Sequence, residues 1–186
     1  MIWLGIDIGY HNLALVQFDT SDRSVIDVRK IDISRYTHDR VCKEDCSLQH
    51  TNHVSDMIIH MIQDHSDIFD TSEQIFIERQ PPMGMTAIES LFFYIFRNKC
   101  TIVSPNSMHK YFGMSIGFTY EERKTRTVEI ATKYLKYNEN FLKLNRKHDV
   151  ADALCLLLYQ YTKIPKPKKE QAPQLDFEKY RLEYIK

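Results

Sequence analysis

Apolar residues recur along this chain with two periods, and the switches between them lay out its elements. Residues 2–8 are apolar and β-prone, and Gly9 breaks the run. Residues 13–18 continue as a second strand, and residues 25–33 alternate well enough to be a third. Three successive strands on short connections predict an antiparallel meander. Across residues 50–65 the apolar groups Val54, Met57, Ile58, Met61 and Ile62 fall at helical spacing. Residues 74–77 form a short apolar strand, followed by Glu78 and stopped by Pro81 and Pro82. Residues 85–97 are apolar on almost every side, through Ile88, Leu91, Phe92, Phe93, Tyr94, Ile95 and Phe96. Residues 100–103 give another strand, ended by Ser104 and Pro105, and residues 121–137 and 147–161 read as two further helices.

The predicted order is three strands, helix, strand, helix, strand and two helices. A meander followed by βα units folds into a mixed five-stranded sheet, with parallel strands added to the antiparallel three and helices on both faces. That α/β arrangement is RNase H-like. It is expected to occupy residues 1–162. Residues 163–186 begin with a basic, proline-rich linker and continue as a charged, aromatic tail.

Against this pattern, four carboxylates stand out. Asp7 interrupts an otherwise apolar strand between Ile6 and Ile8, and Glu78 ends the strand carrying Ile75, Phe76 and Ile77. Burying an ionised carboxylate in such places is costly unless something positive compensates. Asp149 and Asp152 open a helix whose remainder is strongly apolar, and their spacing puts both on one face. Singly, each has a plain structural reading as a hydrogen-bond acceptor, a partner of Arg79 or a helix-start residue. Together, strand 1, strand 4 and the last helix should lie side by side and gather all four. Like charges so gathered need cations. Hard divalent ions take oxygen ligands, and two such ions at a phosphodiester supply the chemistry of hydrolysis without a Ser or Cys nucleophile.

Composition leaves that reading open. The chain is 43% apolar and 27% charged, as in ordinary globular proteins, and no apolar run approaches the roughly 20 residues of a membrane span. The first residues carry no basic region ahead of their apolar run and do not read as a secretory signal, so a cytoplasmic protein is expected. The net charge of zero hides an asymmetry: residues 1–96 hold 7 Lys and Arg against 15 Asp and Glu, and residues 97–186 hold 18 against 10. Such a division suits a protein that grips a polyanion with one surface and binds cations at another. Four cysteines show no disulfide framework, and Cys155 reads as a buried thiol. His38, Cys42, Cys46 and His50 recur every four residues, but the spacing matches no common zinc module and an exposed polar segment is expected.

Five blocks of sequence carry a resemblance: Asp7-Ile8-Gly9-Tyr10-His11-Asn12, Ile77-Glu78-Arg79-Gln80-Pro81, Val103-Ser104-Pro105, Glu122 through Glu129, and Arg146 through Ala153. In this order they resemble the poxvirus Holliday junction resolvases, which belong with the RuvC-like bacterial and fungal mitochondrial enzymes. The resemblance spans residues 2–162. It implies that Asp7, Glu78, Asp149 and Asp152 bind Mg²⁺ or Mn²⁺, two ions per site, and that Lys124 serves the scissile phosphate. It implies action on four-way DNA junctions, without a nucleotide cofactor or a membrane, in the host-cell cytoplasm if the chain is viral. The paired cuts a junction needs and the surplus apolar face of residues 88–96 lead to the expectation of a homodimer. Arg123, Lys124, Arg126, Arg146 and Lys147 are the expected DNA contacts. The chain departs from the bacterial pattern at Tyr111-Phe112-Gly113, where Met114 stands in place of a second lysine.

Two other functions compete. An actin-like ATPase shares the opening Asp-x-Gly-x-x-Asn, but needs further phosphate-cradling glycine loops, and this chain has five glycines with no second Asp-x-Gly. Another RNase H-like nuclease, acting on RNA or RNA–DNA hybrids, would use the same carboxylates, because the fold does not fix the substrate.

Overall fold

The computed structural model describes residues 1–37, 46, 53–114 and 117–165. Five strands form one sheet in the order β3-β2-β1-β4-β5. β1 (Ile2–Asp7), β2 (Leu13–Asp19) and β3 (Ser24–Ile31) pair antiparallel, as the short connections require. β4 (Gln74–Glu78) adds parallel to β1, and β5 (Cys100–Val103) adds parallel to β4. The mixed α/β sheet predicted from the pattern is the one observed. The third strand ends earlier than its apolar residues suggest. Asp32 caps a 3₁₀ turn, Ile33–Arg35, by accepting a hydrogen bond from the Ser34 N–H at 3.0 Å, and Ile33 buries itself from that turn.

Helices cover both faces. On one lie α1 (Val54–Asp64), α2 (Ser66–Thr71) and α3 (Thr86–Ile95), whose Met57, Ile58, Phe69, Ile88 and Phe92 pack with Leu4, Ile6, Leu15, Ile75 and Ile77 of the sheet. On the other lie α5 (Tyr120–Leu135) and α7 (His148–Tyr161), with the short α4 (Pro105–Tyr111) and α6 (Glu139–Leu142). There Trp3, Ala14, Val16, Phe18, Val28 and Phe76 meet Ile130, Ala131, Leu154 and Leu157. Neighbouring strand residues thus feed opposite cores, as the two-residue period dictates. No helix of the described residues is long and apolar enough to cross a membrane.

Two local features set the position of α5 and α7. Thr119 and Glu122 close a capping box: the Thr119 hydroxyl accepts from the Glu122 N–H at 3.3 Å, and the Glu122 carboxylate accepts from the Thr119 N–H at 2.7 Å. Gly5 lets α7 lie close on β1. A Cβ there would stand 2.5 Å from the Ala153 carbonyl oxygen and 2.8 Å from Leu157 Cγ. Any larger residue would lift the helix off the sheet.

Cys155 is buried, as its place in an apolar helix predicts. His38, Cys42 and His50 lie outside the described residues; Cys46 is described, with its Sγ 3.3 Å from His60 Nε2. Of the expected tail, residues 166–186 also lie outside them.

Candidate active site

Strand parity aims Asp7 at the α7 face, because it follows Trp3 and Gly5 on alternate positions of β1. Glu78 follows Phe76 in the same way on the adjacent parallel strand. Asp149 and Asp152 come from the first turns of α7, directly ahead of the Ala153 that touches Gly5. The close seat of α7 on Gly5 therefore brings its two carboxylates over the ends of β1 and β4. All four line one cleft of about 340 Å³, together with Gly9, Asn12, Gln80, His109, Tyr120, Arg123, Lys124 and Arg146.

The electrostatics divide the four unequally. Burial drives the Asp7 carboxyl well above its ordinary range, and repulsion from Asp152, Glu78 and Asp149 adds to this while Lys124 opposes it. Burial, then the charge of Asp152, pushes Glu78 up to about 7, again against Lys124. Asp152 is pushed up to about 6 by burial, moderated by a hydrogen bond from Thr127 and by Lys124, whose Nζ lies 3.8 Å away. Asp149 behaves oppositely. Burial alone would raise it, but hydrogen bonds from Arg146 and Lys30 and the charge of His148 hold it below the ordinary range. Three carboxylates are thus short of positive charge and one is well supplied.

Lys124 borders the cleft, with its ammonium beside Asp152 and 4.9 Å from the centre of the Tyr120 ring. Arg123 and Arg146 line the cleft as well. Arg126 does not; it pairs with Glu129 at 2.9 Å on the exposed side of α5. Lys147 stands at the position just before α7 without a side-chain capping bond and rests over the Phe141 ring at 5.6 Å, also outside the cleft. Three neighbours escape a reading of the sequence. His109 sits on α4, a helix too short to show a period, and Tyr120 reads only as a helix start. Lys30 pairs with Asp149, and its one sequence signal is a cation in step with Val28 on the core-facing side of β3.

Among the described residues no three His, Cys, Asp or Glu groups converge tightly enough to hold an ion unaided. The donor set nevertheless fits a hard divalent cation. Its four acids offer carboxylate oxygens, three of the groups under-neutralised by burial and mutual repulsion, and Mg²⁺ typically binds through one or two carboxylates with water and phosphate completing its shell.

Comparison with solved structures places the fold. The fowlpox virus Holliday junction resolvase superposes with a TM-score of 0.60 at 17% identity, over 87% of this chain and 99% of that one. The fowlpox virus resolvase in complex with its substrate Holliday junction DNA gives 0.61 at 18% identity, over 89% and 100%. The yeast mitochondrial Holliday junction resolvase gives 0.59 at 18% identity, over 86% and 78%. No curated protein sequence matches the chain. The family model of the Poxvirus A22 protein matches residues 1–163, and the chain belongs to that family.

Proposed function

We propose that this protein is a divalent-metal-dependent endonuclease that resolves four-way DNA junctions by paired nicks, in viral DNA recombination or concatemer resolution. The observation that carries the proposal is the convergence of Asp7, Glu78, Asp149 and Asp152 from two strands and a helix on one cleft, with Lys124 at its lip. Membership of the Poxvirus A22 protein family and the fold shared with resolvases, one of them bound to junction DNA, support the choice of substrate.

In this reading the four carboxylates hold Mg²⁺ or Mn²⁺. When bound, two such ions supply Lewis-acid activation of the attacking water and charge stabilisation at the leaving oxygen. The chain's own groups do the rest. Lys124 meets the negative charge that develops on the scissile phosphate. Arg123 and Arg146 grip phosphates at the cleft, with Arg126 and Lys147 at its flanks. The walls formed by Ile8, Pro81 and Tyr120 limit water around the reacting groups. The nuclease domain ends near residue 162, the remaining residues form a tail, and the protein acts as a homodimer in the host-cell cytoplasm.

The test is Mg²⁺-dependent cleavage of a four-way junction, a linear duplex and an RNA–DNA hybrid side by side. Preferential cutting of the junction is expected. Asp7→Asn and Asp152→Asn should lose cleavage by at least about a hundredfold while still binding the junction. Near-normal cutting by either variant would remove that residue from the site. A preference for the hybrid would replace the resolvase reading with that of a ribonuclease.

A further inference from the structure

One cation in the site is not part of the Lys124 side of the cleft. Lys30 lies on β3, two strands away from Asp7. In the sheet register Lys30 stands opposite Ala14, and Ala14 stands opposite Asp7, so the three form one row on the face that α7 covers. Ala14 is fully buried and has only a methyl group to offer. The Lys30 stem therefore passes over it and reaches α7, where its ammonium lies 3.2 Å from Asp149 Oδ2. Neither partner is a surface group: the side chains are 19% and 6% exposed.

The rest of the Asp149 carboxylate is occupied too. Arg146 Nε lies 3.3 Å from Oδ2, Arg146 Nη2 lies 3.3 Å from Oδ1, and His148 Nε2 lies 3.1 Å from Oδ1. Asp152, by contrast, has Lys124 at 3.8 Å, and among the described residues Asp7 and Glu78 make no ion pair. The quartet is therefore three carboxylates open to a cation and one already committed to the protein's own. Of the two long cations on Asp149, Arg146 is 52% exposed and can turn toward an incoming phosphate, whereas Lys30 is held between sheet and helix.

We propose that Lys30 is a built-in counter-ion for Asp149, holding that carboxylate against β3 and competing for it with a divalent ion, so that Lys30 sets the metal affinity of the protein without DNA. The inference rests on the nuclease reading above. Lys30 acts through Asp149 and is a positioning residue. It lowers the net negative charge seen by an entering cation and fixes which way Asp149 faces. Removing its charge leaves Asp149 with only the exposed Arg146 and the neighbouring His148, and gives one unit of negative charge back to the site.

The experiment is Mn²⁺ titration of the whole protein without DNA, reading free Mn²⁺ by electron paramagnetic resonance, with circular dichroism to verify the fold. Lys30→Met should bind Mn²⁺ on the order of tenfold more tightly than wild type. Lys30→Arg, which keeps the charge, should stay near wild type. Lys30→Gln provides a second charge-removing variant should the methionine perturb packing. In an Asp149→Asn background, Lys30→Met should give no further gain, because the two effects run through one pair. Unchanged or weaker Mn²⁺ binding by both Lys30→Met and Lys30→Gln would overturn the inference, as would a gain that survives Asp149→Asn. Those results would leave the nuclease reading intact. No Mn²⁺ binding by wild type at millimolar concentration would overturn the nuclease reading, and this inference with it.

Discussion

A carboxylate that must ionise to hold a metal, yet sits where burial opposes ionisation, destabilises the protein that carries it. Glu78 has its pKa moved from 4.5 to about 7, and Asp152 from 3.8 to about 6. Between the ordinary and the raised value the folded chain binds the proton more tightly than the unfolded chain does. Stability contributed by these groups is therefore present at low pH and lost as pH rises through about 4.5 to 7 for Glu78. In chelator, Glu78→Gln should be more stable than wild type at about pH 8, by about 1–3 kcal/mol, and lose that advantage near pH 5. Thermal melts at the two pH values check this. A variant no more stable than wild type at the higher pH would show that Glu78 is not strained in the metal-free fold. Added Mg²⁺ should raise the wild-type melting temperature more than that of the variant, because the variant lacks one of the four proposed ligands.

At the level of elements, the geometry of the site depends on one close approach. Gly5→Ala adds a methyl group against the Ala153 carbonyl, and backbone cannot swing aside as a side chain can. The expected cost is about 1–3 kcal/mol by denaturant titration. Cleavage should fall further than the loss of stability explains, since α7 carries Asp149 and Asp152 together; a variant that folds and cuts normally would show that the packing at Gly5 does not set the carboxylates. The roles of α5 residues separate similarly. Arg123→Ala should flatten the salt dependence of junction binding by about one unit of logarithmic slope, and Arg126→Ala, tied to Glu129 outside the cleft, should change it less. Equal effects would place both side chains on DNA. Such detail sets the limit of what the sequence discloses. All five strands, α1, α3, α5 and α7 were legible because a stretch of alternation or several turns of helical spacing shows its period. The helices α2, α4 and α6 are four to seven residues long and show none. The four acids were legible because each interrupts, ends or opens an apolar element, whereas Lys30 reaches the site only through a row of registered strands, which requires the pairing of β3 with β2 to be known.

On the scale of the whole molecule, the charge asymmetry of the sequence folds into a single site: Asp7 and Glu78 come from the acidic half, and Lys124, Arg146, Asp149 and Asp152 from the basic half. A single site makes one nick, but resolving a junction takes two, in opposed strands, and a twofold dimer supplies two sites with matching symmetry. α3 offers the surface for it. Ile88 and Phe92 point into the core, and the helix has apolar residues to spare: Phe93, Tyr94 and Ile95 are 41%, 72% and 37% exposed, and Met83 just ahead of the helix is 98% exposed. An ordinary sheet-covering helix needs only one apolar stripe, so the second stripe is the surface on which the proposed dimer would pair. Tyr94→Glu would place a charge in that contact. It should convert the dimer to monomer in sedimentation velocity, and lower junction resolution far more than the nicking of a single strand, since each separate site remains whole. The complementary experiment pairs one wild-type subunit with one Asp7→Asn subunit on a junction in supercoiled plasmid, where nicked product should accumulate at the expense of resolved linear product. If wild type sediments as a monomer when bound to the junction, or if the mixed dimer resolves as efficiently as wild type, the two cuts do not come from two paired sites.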